Sequence, residues 1–396
     1  MKALTILPWA VLVATCAAAS GGQEQPRRIP VLAWIGPPAE QANVARYREL
    51  AECGFTHSFS GFANAAAMAR ELDAAREAGV KLLVSCPELR SDPEGTVRRF
   101  NDHPALGGYF LQDEPSAGDF AGLADWARRI KTAEPDHIIY INLFPDYANS
   151  QQLGVANYRQ YVDRFVKEVP VPILSFDYYP IVGNSVRGSW YANLETIAAA
   201  SRATGKPFWA FALSLPHYDY PTPTIVHLHE QVYSDLAYGA QGIQYFTYWS
   251  VKGLSDGAPI DVAGKRTPVY ERVRQVNREI QALSPIFAGS KVLWMRHTGS
   301  SLPAGTTRFE PRPPIESLTT QGTGAVVSRL TNRNRQYLFI VNRDIHNSMS
   351  VSVRFSKGLA VSRIATDGTE RKLQTTNYEA GVEAGDAMLF AWLREG

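Results

Sequence analysis

The chain has 396 residues, 45% of them hydrophobic, 11% aromatic and 20% charged, a composition that supports a large folded core and excludes a disordered chain. Forty Lys and Arg against 38 Asp and Glu leave a formal charge of +2, and with no run of like charge nothing favours nucleic acid or an anionic membrane as a partner. The 8 Trp, 18 Tyr and 17 Phe are mostly core in expectation, but rings in such numbers also serve to stack on sugar or base faces.

Residues 1–20, MKALTILPWAVLVATCAAAS, combine one Lys, an apolar stretch from Ala3 to Ala14 and small residues offering an A-x-A cleavage site. The pattern predicts a secretory signal peptide, so the expected location is secreted or periplasmic. Its apolar part is shorter than the roughly 20 residues of a spanning helix, and no later window qualifies. Cys16, after Val13-Ala14-Thr15, is a candidate lipid-anchor site, although Thr before the Cys matches that pattern weakly. Residues 21–28 read as a linker. Cys53 and Cys86 suggest a disulfide, but the expected strands put them about 20 Å apart, beyond the ~7 Å Cα limit. Two buried thiols are the expectation.

From residue 29 to 285, short apolar runs alternate with amphipathic stretches. Strand-like runs sit at Val31–Ile35, Thr56–Phe59, Lys81–Ser85, Gly108–Leu111, Ile138–Leu143, Ile173–Tyr178, Phe208–Leu213 and Ile243–Trp249. Helical segments are expected near 39–52, 64–78, 94–102, 119–133, 157–168, 190–204, 224–239 and 268–283. Gly54, Gly79 and Gly205 are stop signals, and Ala65, Met68, Leu72 and Ala75 recur on one helical face. Eight βα units in about 255 residues predict an α/β fold, a (β/α)8 TIM barrel. A doubly wound open sheet is the alternative, but no G-x-G-x-x-G or Walker sequence follows a strand. Residues 286–396 lose helical periodicity and show alternating strands, as at Tyr337–Val341 and Ala387–Ala391, predicting a small antiparallel β-sandwich with a long loop over 300–323.

A barrel of this kind builds its site from residues at the C-terminal ends of its strands. The leading segment is Gly107-Gly108-Tyr109-Phe110-Leu111-Gln112-Asp113-Glu114-Pro115-Ser116. Adjacent carboxylates at the end of a buried strand are desolvated and repel, which raises one pKa. A carboxyl kept protonated near neutral pH is what a general acid needs to protonate a glycosidic oxygen. The plain alternative is that Asp113 or Ser116 caps the next helix and Glu114 pairs with a surface Arg. Strand alternation puts Gln112 and Glu114 on one face and Asp113 on the other, unless the strand has already turned. Asp177, on the face of Ser175 and Tyr179 two strands away, is the second carboxylate, at roughly 10 Å between strands. It also fits a purely orienting role. Glu88 is held in reserve. His57, Glu88, Gln112, Asn142, Tyr178, Tyr179, His217 and Trp249 are candidate substrate contacts. His227 and His229 lie about 200° apart on a helix and cannot share an ion, so no metal and no cofactor are expected.

These segments resemble secreted glycoside hydrolases with (β/α)8 catalytic barrels, particularly the family-42-like and neighbouring groups. Gly108 to Pro115 is similar to the fourth-strand acid/base segment, which puts Glu114 in the proton donor's place and Asp113 in that of the usual Asn. Ala237 to Trp249 is similar to the final helix-to-strand passage, with Trp249 flooring the sugar site, and Thr267 to Pro285 to the closing helix before an accessory β domain. The resemblance implies a carbohydrate substrate whose O-glycosidic bonds are cleaved. One departure stands out: the nucleophilic Glu expected at the end of strand 7 is missing from Phe208–Ser214. Asp177 then serves as second carboxylate, or the substrate's acetamido group is the nucleophile, as in β-hexosaminidases, with Asp113 orienting the amide and Tyr179 supporting it. The remaining alternative is a non-catalytic carbohydrate-binding protein.

Overall fold

Each of the eight expected runs forms a strand, and parallel hydrogen bonding closes them into one barrel in sequence order. The computed structural model describes residues 27–394; the leader, Cys16 and most of the linker lie outside the described residues. The strands are β1 (Val31–Trp34), β2 (His57–Gly61), β3 (Lys81–Ser85), β4 (Leu106–Asp113), β5 (Ile138–Leu143), β6 (Leu174–Phe176), β7 (Phe208–Leu213) and β8 (Gly242–Phe246). Around them run α1 (Val44–Glu52), α2 (Ala65–Ala78), α3 (Pro93–Phe100), α4 (Phe120–Ala133), α5 (Tyr158–Glu168), α6 (Trp190–Thr204), α7 (Ile225–Tyr238) and α8 (Pro268–Phe287). The fold is the (β/α)8 TIM barrel read from the sequence.

Local chemistry explains the boundaries. Asn43, Asn64 and Asn157 accept backbone N–H bonds at the starts of α1, α2 and α5. Gly79 and Gly205 end α2 and α6 in the left-handed conformation that a side chain disfavours. Gly108 meets a different demand: a Cβ there would sit 2.4 Å from the Ile138 carbonyl oxygen, so β4 and β5 can approach only if it is absent. Inside, Trp34 packs on Phe59, Phe110, Tyr140 and Phe211 and fills the lumen. Cys53 and Cys86 are both free and buried. Among the described residues no helix is long and apolar enough to cross a membrane.

The remainder is antiparallel β structure: β9 (Lys291–His297), β10 (Ile315–Thr320), β11 (Ala325–Asn332), β12 (Arg335–Asn342), β13 (Met349–Phe355), β14 (Ser362–Ile364), β15 (Glu370–Lys372), β16 (Asn377–Val382) and β17 (Ala387–Leu393). A six-stranded sheet, β9-β11-β12-β17-β14-β15, faces a three-stranded one, β10-β13-β16, across Val327, Leu338, Ile340 and Phe390 on one side and Ile315, Val351 and Val353 on the other. The expected loop over 300–323 is thus corrected: it contains β10, whose Ile315 and Leu318 enter this core. The outer face of the six-stranded sheet covers α7. Tyr233 of α7 and Phe287 of α8 both pack on Phe339 of β12, and every residue from Leu228 to Tyr238 is buried.

Gly108→Ala forces backbone apart at the β4–β5 seam and should cost about 1–3 kcal/mol, as overpacking does. Urea denaturation of the two proteins measures the difference, and an unchanged midpoint would refute the close-approach argument.

Candidate active site

The site begins with an irregularity in β4. Phe110 pairs with Tyr140, but Gln112 pairs with Ile141 and Asp113 with Asn142, so Leu111 is an extra residue in the strand. Such a bulge shifts the alternation by one. Asp113 therefore shares a face with Asn142 at the rim of the lumen, while Gln112 is in register with Ile141, which packs in the outer layer. Glu114 follows with φ of 44°, a left-handed conformation that costs a residue with a side chain about 1–3 kcal/mol, and its N–H bonds to the Asn142 carbonyl at 2.9 Å.

Asn142 organises the carboxyls. Its Nδ2 donates to Asp113 Oδ1 and to Asp177 Oδ1, both at 3.0 Å, and its Oδ1 accepts from Ser175 Oγ at 2.9 Å. Ser175 also contacts the Tyr140 hydroxyl at 2.7 Å and accepts from Gln244 Nε2 at 3.0 Å, while Tyr140 donates to Gln244 Oε1. A polar chain thus crosses the lumen from β5 through β6 to β8.

Three carboxyls share this rim, and burial weighs most on each. Burial and then the charge of Asp113 push Glu114 up to about 7, against a hydrogen bond with Asp177 that pulls it down. Burial and the charges of Glu114 and Asp113 hold Asp177 well above the usual carboxylate range, opposed by the Asn142 bond. Burial raises Asp113 as well, against the same amide. Two carboxyls in hydrogen-bonding contact need a proton between them, so Glu114 and Asp177 titrate as a pair.

Aromatic groups surround the cluster. Tyr179 packs on Phe246 and Tyr220, and its hydroxyl is held above its ordinary pKa by burial and by Asp177, Asp113 and Glu114. His217, on the loop after β7, stacks on Tyr220 at 5.5 Å. Arg187 lies 4.6 Å over the Tyr147 ring and donates to the Tyr220 hydroxyl at 3.1 Å. Tyr147, Arg187 and Tyr220 went unnoticed in the sequence, although Tyr147 follows the end of β5 by only four residues and the strand-end rule would have reached it.

Asp113, Glu114, Asn142, Asp177 and Tyr179 therefore come together, with His217 on the same face. Five other candidates do not join them. His57 opens β2, at the opposite end of the barrel, where burial and then Lys81 lower it to about 4. Glu88 turns to the start of α2 and accepts from the Ala65 N–H at 3.0 Å. Gln112 is carried out of phase by the bulge. Tyr178 is fully buried, bonded to Ser189 at 2.8 Å and packed on Trp190. Trp249 is misplaced because β8 ends at Phe246; the chain then bonds to Trp34 and Ile35, and Trp249 packs in the outer layer beneath Arg46. The lumen floor is Trp34 instead. Of the two helical histidines, His227 caps α7 with Thr224 and His229 bonds Glu279 at 2.7 Å.

No family model matches the sequence, and no curated protein is detectably similar to it. Solved structures share its fold. An α-amylase from Geobacillus thermoleovorans, complexed with acarbose, is 10% identical, covers 93% of this chain and 99% of its own, and has a TM-score of 0.56. A family 39 glycoside hydrolase from the gut symbiont Bacteroides cellulosilyticus WH2 is 10% identical over 93% of this chain and 81% of its own, with a TM-score of 0.55. A family 27 β-L-arabinopyranosidase from Geobacillus stearothermophilus, in complex with arabinose, is 9% identical over 93% and 97%, with a TM-score of 0.51. At these identities the likeness defines the class of fold, a TIM barrel followed by a β-rich domain.

Asn142→Leu keeps the volume but leaves two carboxyls without their donor, and should cost about 1–3 kcal/mol. The lost bonds favour the ionised carboxylates, so the loss should be larger at pH 8 than at pH 5; denaturation at both pH values tests the sign.

Proposed function

We propose that this protein is a glycoside hydrolase with Glu114 as general acid and base. The observation that carries the proposal is the carboxyl cluster at the C-terminal mouth of the barrel, with one member raised to about 7. A carboxyl in that range stays protonated near neutral pH and can protonate a departing glycosidic oxygen. The aromatic rim of Tyr179, Tyr147 and Tyr220 suits an uncharged sugar ring.

The spacing of the carboxyls favours one mechanism. Direct displacement uses carboxyls about 5–5.5 Å apart for retention or about 6.5–9.5 Å for inversion. Glu114 and Asp177 lie against each other rather than across a sugar ring, and β7 ends without a carboxylate. A substrate that brings its own nucleophile, a 2-acetamido sugar, removes the need for a second carboxylate across the ring. Glu114 gives its proton to the leaving oxygen as the acetamido oxygen attacks C1. Asp113, with one oxygen held by Asn142, receives the amide N–H on the other, and Tyr179 supports the acetamido group. The Glu114 carboxylate then takes a proton from water, which opens the cyclic intermediate with net retention. Asp177 shares the proton with Glu114 between turnovers. We propose further that the chain is exported to the periplasm or beyond; fractionation of cells expressing the full chain and its Cys16→Ser form tests both export and the lipid anchor.

Two experiments address the chemistry. On nitrophenyl glycosides with and without a 2-acetamido group, turnover should be confined to the acetamido sugars, and Glu114→Gln should lower kcat by about 10²–10⁴ on natural leaving groups. Cleavage of the plain glycosides alone would overturn the assisted mechanism, and binding of sugars without any turnover would make the protein a carbohydrate-binding one. The acid must be protonated, so kcat/KM should fall as pH rises through about 7. Asp113→Asn removes a negative neighbour, lowers the Glu114 pKa and should move that alkaline limb to lower pH.

A further inference from the structure

We propose that the N-terminal end of the barrel, opposite the carboxyl cluster, carries a second binding site, one that takes an oligoanion. A cleft of about 840 Å³ opens there between the barrel and the start of β9. Five cations line it: Arg27 and Arg28 ahead of β1, Arg202 in the last turn of α6, Lys206 ahead of β7, and Lys291 at the start of β9. Among the described residues no Asp or Glu lines it. Among the described residues none of the five belongs to an ion pair.

The simplest alternative is that these cations answer the helix ends around them. Helices α6, α7 and α8 all finish at this end of the barrel, and Gly205, Gly239 and Ala288 line the cleft. Each helix C-terminus supplies about half a negative charge. Three such ends offset fewer than two of the five cations, and Glu195 lies close enough to Arg202 to feel its charge, which leaves Arg27, Arg28 and Lys291 without a carboxylate counterpart among the described residues. That alternative accounts for Arg202, in the last turn of α6, and for Lys206, whose Nζ reaches the Val169 carbonyl at 3.5 Å. It does not account for Arg27 and Arg28, which precede the first strand. Burial and then Lys131 hold the Lys206 ammonium below its ordinary range.

The cleft is concave and lies within the roughly 300–1,000 Å³ usual for small-molecule sites, with Trp209 on its inner wall. Guanidinium groups in a hollow suit planar or tetrahedral oxyanions held bidentately. The ligand class is therefore a soluble molecule of about disaccharide size carrying two or more sulfate, phosphate or carboxylate groups. A bilayer surface is flat and would use the outer cations without filling the hollow.

Calorimetric titration of the full chain with sucrose octasulfate, with inorganic sulfate as the monovalent-site comparison, tests the proposal. Saturable binding of the sugar at about 20 mM salt should weaken at least tenfold near 500 mM, as screening requires, and inorganic sulfate should bind far more weakly. The exposed double variant Arg28→Glu/Lys291→Glu should lose at least tenfold in affinity with its melting temperature unchanged. Arg371→Glu/Lys372→Glu, an equal charge change on exposed β15, should bind as the parent does. The proposal is overturned if the two double variants lose affinity equally, or if no saturable binding occurs at low salt. It is overturned too if the chain sediments with phosphatidylglycerol vesicles while ignoring the sulfated sugar, which would assign this face to a membrane.

Discussion

The arrangement turns on one side-chain amide. Asn142 has two protons on Nδ2 and places one on each of two carboxyls, and it can do so only while its Oδ1 is taken by Ser175. Flipping the amide would set an oxygen between two carboxylate oxygens, so the Ser175 hydroxyl fixes the orientation. Ser175 is held in turn by Tyr140 and Gln244, deep among Trp34 and Phe211. The position of the acid groups at the rim is therefore transmitted from the packing of the lumen, strand by strand.

The same logic explains which parts of this architecture could be read from residues alone. The barrel was legible because each βα unit repeats two signals, a short apolar run and a helix with a Gly or Asn terminus, and the repeat is its own check. The place of Glu114 and Asp177 at the mouth of the barrel was legible because each directly follows the C-terminal end of a strand. What failed was phase. A bulge at Leu111 exchanged the faces of Gln112 and Asp113, and nothing in that tripeptide announces it. Trp249 failed for a related reason: an aromatic run reads as continuous strand, while the strand stops at Phe246. His57 was assigned to the wrong end because the run Thr56–Phe59 locates a strand but its polar residue lies at the entrance. Arg187 lies on an irregular segment after β6, where periodicity carries no information, and only packing against Tyr147 and Tyr220 gives it a place.

A formal charge of +2 conceals a separation along the barrel axis. Asp113, Glu114 and Asp177 gather at one end, and five arginines and lysines line a cleft at the other. The parallel barrel encourages this, because every helix points its C-terminus toward the same end and so favours cations there. At the opposite rim the chain has run against the cost of desolvation, keeping three acids where burial raises all of them.

Helix α7 has no outside. In a free-standing barrel its far face would meet water, yet here residues such as Leu236, Tyr233 and even Asp235 are fully covered, by β7 and the flanking helices α6 and α8 on the barrel side and by the six-stranded sheet on the other. Accessory domains joined by linkers can be cut away, exchanged or duplicated during evolution. This one is welded on: removing it would strip water-averse surface bare along a whole helix, so neither part can shed the other without exposing its own core.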